Sequence, residues 1–157
     1  MRVRDIMTTP VHACRVGDPA NEAARLMWER NCGAIPVVQE EGRVVGIITD
    51  RDLCMAAYTQ GRPLASILVE TAMARRVYCC RADDTVGDAL AVMRDHEVRR
   101  LPVVDEDGRL VGLLSLDDLA LETSGAHSRR LGVSAKDVGA ALAVHSRRRG
   151  ARTVAAS

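Results

Sequence analysis

The chain has 157 residues, 47% of them hydrophobic and 27% charged, with a formal net charge of +1. That balance is ordinary for a globular domain able to bury one sizeable core or two small halves sharing a seam. No apolar run approaches the roughly 20 residues a membrane span needs, no charged-then-apolar signal pattern opens the chain, and five cysteines without CxxC or zinc spacing imply free thiols in a reducing cytoplasm.

In chain order, the first predicted strand covers residues 11–15. Asp18-Pro19 then reads as a helix start, acceptor at the N-cap and proline at N1. Ala20, Ala23, Ala24, Met27 and Trp28 keep helical spacing after it. Two apolar runs, 35–38 and 44–48, flank the acidic turn Glu40-Glu41-Gly42, which is a hairpin pattern. Pro36 stands near a strand head, where proline is tolerated. A second helix, 51–60, is stopped by Gly61 and Pro63, and 61–68 reads as a link. The series then recurs. A strand covers 77–81, and Asp84 opens a helix with Val86, Ala89, Leu90 and Met93 in register. Strands at 101–104 and 110–114 surround Glu106-Asp107-Gly108, and a helix at 116–123 stops at Gly125. Beyond it the chain turns basic, with seven basic and two acidic side chains in 121–157 and a net −4 in 1–120. Ser134-Ala135-Lys136-Asp137 reads as a capping box for a helix to about His145, with Arg147, Arg148 and Arg149 a fraying, solvated tail. Twenty-one arginines against one lysine fit a GC-rich bacterial genome.

The recurrence is an internal repeat at a fixed offset of 66 residues without a gap. Met7 falls on Met73, Cys14 on Cys80, Asp18 on Asp84, Pro36-Val37-Val38 on Pro102-Val103-Val104, Gly46 on Gly112 and Asp52-Leu53 on Asp118-Leu119. Each copy reads strand, helix, strand, strand, helix. Two such copies form a pseudo-symmetric pair in which each buries its apolar face against the other, leaving a cleft with two equivalent sites. The expected organisation is repeat 1 at 1–62, repeat 2 at 63–124 and a basic tail at 125–157.

The sharpest motif lies where the third strand of each copy meets its second helix. It reads Gly46-Ile47-Ile48-Thr49-Asp50-Arg51-Asp52 in the first copy and Gly112-Leu113-Leu114-Ser115-Leu116-Asp117-Asp118 in the second. Two readings fit Gly-x-x-[Ser/Thr]-x-x-Asp. One is a capping box that satisfies orphan backbone donors. The other is a ribonucleotide site. In it the helix N-terminus and hydroxyl take phosphate, the carboxylate takes a ribose diol, and glycine lets the ligand approach the backbone.

With the [Ile/Leu]-Pro-Val-Val strands and the lead-in Val3-Arg4-Asp5-Ile6-Met7-Thr8, this arrangement resembles the CBS domain pair, the Bateman module, over about residues 1–122. The resemblance implies an α/β (α+β) fold of two tandem CBS repeats packed with pseudo-two-fold symmetry. It also implies a stand-alone regulatory module sensing adenosine-containing ligands in the cleft, with no required cofactor, no catalysis, and a homodimeric assembly, often a flat disc. Carried over by residue, Thr49 meets phosphate and Asp52 the ribose in one pocket, with Val11, His12, Ala34, Ile35 and Pro36 around the base. Ser115 and Asp118 take those roles in the other, with Val77, Tyr78, Arg100, Leu101 and Pro102 around the base. Arg51 sets a cation beside the first phosphate position and Asp117 an anion beside the second, which favours the first pocket for phosphorylated ligands. Arg99 and Arg100 are candidates for compensating charge.

Rival readings remain. A structural or interaction protein with vestigial pockets, or a redox-stress protein using Cys14, Cys79 and Cys80, would share the fold. An enzyme such as the dehydrogenase that oxidises IMP, which CBS pairs interrupt, needs a barrel of about 250 residues that does not fit here. His12, His96, His127 and His145 show no metal-ligand spacing. One Trp, two Tyr and no Phe leave few stacking platforms for nucleic acid. The expected partners are an adenosine-containing small molecule, a second copy and a regulated protein. Val86, Leu90 and Met93, with Ala20, Ala24 and Met27, are candidates for a self-complementary patch, extended by Val138, Ala141 and Leu142.

Overall fold

A computed structural model describes residues 1–124 and 131–150. It has two three-stranded mixed sheets flanked by helices. In the first, β1 (Cys14–Arg15) runs parallel to β2 (Ala34–Val38), and β2 pairs antiparallel with β3 (Val44–Thr49). Helix α1 (Ala20–Glu29) connects β1 to β2, and α2 (Asp50–Gln60) follows β3. The second sheet repeats this with β4 (Cys80–Arg81), β5 (Arg100–Val104) and β6 (Leu110–Ser115), with α4 (Val86–Asp95) and α5 (Leu116–Ser124). A four-residue helix, α3 (Val69–Ala72), and a 3-10 turn at Leu64–Ser66 occupy the stretch that reads as a bare link.

The β2–β3 hairpin forms as its sequence predicts, and Glu41 and Gly42 turn it with φ of 61° and 78°. Gly61 ends α2 in the left-handed region at φ 60°, a conformation glycine adopts without steric cost. Other local details differ. The first strand of each copy is only two residues long. Asp18 does not cap α1; its Oδ2 accepts from Arg15 N at 2.7 Å, and Asp84 does the same for Arg81 N. The N-cap positions fall one residue later, at Pro19 and Thr85. Trp28 leaves the buried stripe of α1, where Ala20, Ala23, Leu26 and Met27 remain inside while Trp28 is 87% exposed.

The backbone contacts divide the chain into two compact units that interleave along the sequence. One comprises Pro10–Val77 and Val104–Val111, the other Met1–Thr9, Tyr78–Val103 and the described residues from Gly112 onward. The core of the first is built on Cys14, Leu26, Ile35, Val37, Ile48 and Ile67. In the second, Val3, Met93, Leu101, Leu114 and Leu119 are buried. Each fully buried aliphatic side chain of this size contributes about 1.5–3 kcal/mol.

The tail forms helix α6 (Ala135–Gly150), which runs past the expected end at His145 and includes the three arginines placed in a fraying tail. Its capping box is as expected: Ser134 N and Oγ donate to Asp137 Oδ2 at 2.8 and 2.6 Å. Those hydrogen bonds hold the Asp137 carboxyl below its usual range. Helix α6 packs on α4 and α5, burying Val138 and Ala141. The self-complementary patch is therefore corrected, because Val86, Leu90, Met93, Ala20 and Met27 are buried within the chain itself. His127 and residues 151–157 lie outside the described residues.

Candidate functional site

Both Gly-x-x-[Ser/Thr]-x-x-Asp turns form closed capping boxes. Thr49 N and Oγ1 donate to Asp52 Oδ2 at 2.8 Å each, and Asp52 N donates back to Thr49 Oγ1 at 3.2 Å. Ser115 and Asp118 repeat this at 2.8, 2.6 and 3.1 Å. Each carboxylate thus spends one oxygen on the cap. Oδ1 of Asp52 and of Asp118 accepts no hydrogen bond among the described residues. An ionised carboxylate has about four lone-pair sites, so that oxygen keeps its acceptor capacity.

The box alone is not specific. Thr85 with Asp88 and Ser134 with Asp137 make similar contacts at α4 and α6. Nor do the glycines act as expected. A Cβ on Gly46 would lie 2.7 Å from Met73 Sδ and 2.9 Å from Ala74 O, and one on Gly112 would lie 2.5 Å from Met7 Sδ. The glycines admit a short segment of backbone, not a ligand. Ala74 N donates to Ile47 O at 2.9 Å, and Thr8 N donates to Leu113 O at 2.8 Å. The Met-Thr lead-in at the start of the chain therefore bridges to the strand of the second copy.

The two helix N-termini differ in charge and in donors. In α2, Asp50 N donates to Gly33 O at 3.2 Å, Arg51 N to Asp50 Oδ1 at 2.7 Å, and Asp52 N to Thr49 Oγ1. Its first donors are occupied, and Asp50 offsets the charge of Arg51. In α5, Leu116 replaces Asp50, so no carboxylate covers the Asp117 N–H from that position. Asp117 lies 3.7 Å from Arg99 Nη2 and 4.0 Å from Arg100 Nη2. Arg99 Nε is buried without a hydrogen-bond partner among the described residues. These charges run against the expected preference for the first site. Arg51 and Asp50 sum to zero, whereas Arg99, Arg100 and Asp117 sum to +1. Aligning Arg51 with Asp117 leaves out Asp50, while Arg99 and Arg100 stand beside Asp117 as the candidates for compensating charge.

The base-wall residues are only partly gathered. Ala34 pairs with Thr49 in the β2–β3 register, and Pro36 pairs with Ile47. Ile35 and Leu101 point into their cores, so strand alternation leaves Ala34 and Pro36, and likewise Arg100 and Pro102, for the other face. Val11 and His12 are half-buried before β1, with no hydrogen bond to the Thr49 box among the described residues. Val77 belongs to the first unit and the Ser115 box to the second. Tyr78 stacks on His96, ring centroids 3.8 Å apart and planes 9° from parallel, a pairing that no local pattern announces. His145 Nδ1 lies 2.9 Å from Glu97 O and donates, since a carbonyl can only accept.

Burial disfavours ionisation of the three cysteines singled out for redox chemistry. Burial, then Asp18 and Glu22, pushes Cys14 up to about 12. Burial, then Asp84 and Cys79, does the same for Cys80, and burial raises Cys79. Thiol rather than thiolate dominates at neutral pH, and thiolate is the reactive form. Among the described residues no three His, Cys, Asp or Glu side chains are grouped to hold a metal. None of the described helices is long and apolar enough to cross a membrane.

The model of the CBS domain matches residues 3–58 and 69–124. The uncharacterized protein YlbB of Bacillus subtilis is 36% identical over 138 residues, 87% of this chain and 90% of its own length. Among solved structures, the CBS domain pair of protein MJ0100, in complex with 5′-methylthioadenosine and S-adenosyl-L-methionine, superposes with a TM-score of 0.71 at 28% identity, covering 80% of this chain and 97% of that one. Hypoxic Response Protein I, with two coordinated zinc ions, superposes with a TM-score of 0.70 at 30% identity, covering 77% of this chain and 98% of that one. Two family matches in the register of the internal repeat, on two sheets of the same topology, establish that this chain belongs to the CBS domain family as a tandem pair of repeats.

Proposed function

We propose that the chain is a non-catalytic regulatory module that binds an adenosine-containing ligand through Asp52 and Asp118. The observation that carries this reading is the division of labour in each carboxylate. Oδ2 closes the helix cap, and Oδ1 is left to accept from a ribose diol. The likeness to a CBS pair complexed with 5′-methylthioadenosine and S-adenosyl-L-methionine supports the same ligand class. Phosphorylated ligands favour the Ser115 site, where Arg99 Nε lacks a partner and the local charge is positive. A tail without phosphate, a cationic sulfonium or a neutral thioether, suits the Thr49 site, whose first helix donors are already used. The module acts on another protein by stabilising one of its own conformations, by no more than the ligand's differential affinity for the two. It works in the cytoplasm as a homodimer.

A thermal-shift screen against AMP, ADP, ATP, NAD, S-adenosylmethionine and 5′-methylthioadenosine tests the reading. At 100 times its dissociation constant a ligand stabilises the fold by about 2.7 kcal/mol. No shift at millimolar concentrations of any of them, with the fold confirmed by circular dichroism, removes the proposal. That outcome would favour a structural protein, in which the boxes at α2 and α5 only cap helices, as those at α4 and α6 do.

A further inference from the structure

Each copy turns from its first helix into its central strand through a short corner, Asn31-Cys32-Gly33 in the first and Glu97-Val98-Arg99 in the second. The backbone contacts of the two corners match. Cys32 N donates to Met27 O at 3.0 Å, and Val98 N to Met93 O at 2.9 Å. The last carbonyl of each corner takes the first N–H of the helix that follows. Asp50 N donates to Gly33 O at 3.2 Å, and Leu116 N to Arg99 O at 2.9 Å. Asn31 and Glu97 both stand in the left-handed region, at φ 49° and 55°. Asparagine enters that region readily, whereas glutamate stays there only where its surroundings hold it.

The second corner has such a hold. Helix α6 packs on α4 and α5, and near its C-terminal end His145 Nδ1 donates to Glu97 O at 2.9 Å. Two residues further on is Arg99. Its Nε is buried without a hydrogen-bond partner among the described residues, and its Nη2 lies 3.7 Å from Asp117 in the first turn of α5. All of these residues belong to one compact unit. The first copy has asparagine at the position of Glu97 and glycine at that of Arg99. The constrained glutamate, the arginine and the helix that grips their corner occur together in the second copy.

We propose that His145 is a positioning residue for Arg99, and that α6 thereby sets the affinity of the Ser115 site for phosphorylated ligands. The inference rests on the reading of that site as a ligand site. With α6 seated, the Glu97 carbonyl is fixed and Arg99 is held beside the first turn of α5 with its Nε buried. With α6 lifted, Glu97 loses the contact that holds its left-handed backbone, and the corner relaxes and carries Arg99 with it. The two states differ in one hydrogen bond, in backbone strain and in the place of one charge, and a phosphate distinguishes them through that charge. Coupling of this kind is reciprocal, so a phosphate held by Arg99 tightens α6 on α4 and α5. The C-terminal helix is then the element on which occupancy of the second site is read. The Thr49 site, with Gly33 at its corner, sends no such signal.

The Arg99 Nε–H gives a test that needs no ligand. A buried donor exchanges slowly with water, so its signal in a nitrogen–proton correlation spectrum stands apart from those of exposed arginines, and Arg99→Lys assigns it by its loss. His145→Ala should shift this signal and speed its exchange by about 5-fold or more. His145→Asn, which keeps an N–H near the Nδ1 position, should restore it. Ser134→Ala, which weakens α6 at its other end, should leave it in place. The binding arm uses Asp52→Asn to silence the Thr49 site. In that background His145→Ala should weaken AMP binding by about 5-fold or more and leave that of adenosine, which lacks the phosphate, unchanged. An Arg99 signal indifferent to His145→Ala overturns the proposal. So does a signal that Ser134→Ala moves as far, or an equal loss for AMP and adenosine. If neither AMP nor adenosine binds any of these proteins, the proposed function falls instead, and the Arg99 signal still decides whether His145 positions Arg99.

Discussion

At Gly46 the constraint is backbone against backbone. A Cβ there meets Ala74 O at 2.9 Å as well as the Met73 sulfur, whereas at Gly112 the nearest atoms belong to the flexible Met7 side chain and Thr8 O is 3.3 Å away. Gly46→Ala should therefore cost about 1–3 kcal/mol, and Gly112→Ala less. Urea unfolding of both variants checks the order. Equal costs would mean that the Ala74 bridge yields as easily as a methionine. The thiols give a second residue-scale expectation. At about pH 8, alkylation followed by peptide mass mapping should label exposed Cys54 in the native protein, and Cys14 and Cys80 only after unfolding. Cys14 and Cys80 ionise near 9.0 when unfolded but at about 12 when folded. Their neutral form is therefore favoured by folding, the associated stability is whole below pH 9, and it is lost as pH rises toward 12. Cys14→Ala should flatten that loss in unfolding titrations at rising pH. An unchanged slope would show that the Cys14 thiol is not responsible.

Among the elements, α6 depends on the Ser134–Asp137 cap. Ser134→Ala should destabilise the fold by about 1 kcal/mol, measured as a lower urea midpoint. Because the folded Asp137 carboxyl is held below its usual range, its contribution is present above the ordinary carboxylate range and disappears as pH falls through the lowered value. Acidification should therefore weaken wild type more than Ser134→Ala, and equal acid sensitivity would contradict this. The strand, helix, strand, strand, helix order was legible in the sequence because hydrophobic period, hairpin glycines and helix stops are local signals, doubled by the repeat. The capping boxes of α2, α5 and α6 were legible for the same reason. What was not legible depends on tertiary neighbours. The lead-in beside Gly112, the packing of α6 on α4 and α5, the outward turn of Trp28 and the stacking of Tyr78 on His96 each need residues far apart in the chain. Arg99 and Arg100 were visible as charges, but their approach to Asp117 follows from β5 lying beside the start of α5.

For the whole molecule, the proposed function requires Asp52 and Asp118 to cap their helices with one oxygen and to accept from a ribose with the other. Isothermal titration of AMP into wild type and into Asp52→Asn/Asp118→Asn tests this most directly, with 2′-deoxy-AMP as a parallel titrant. Asparagine retains an acceptor for the cap, so the fold should survive. The account predicts saturable AMP binding to wild type and binding weakened by about 10-fold or more for 2′-deoxy-AMP, as expected for loss of a hydrogen bond to a charged group. It also predicts at least as large a loss for the double variant. Equal affinity of wild type and the folded double variant for AMP, or indifference to the 2′-hydroxyl, would contradict it.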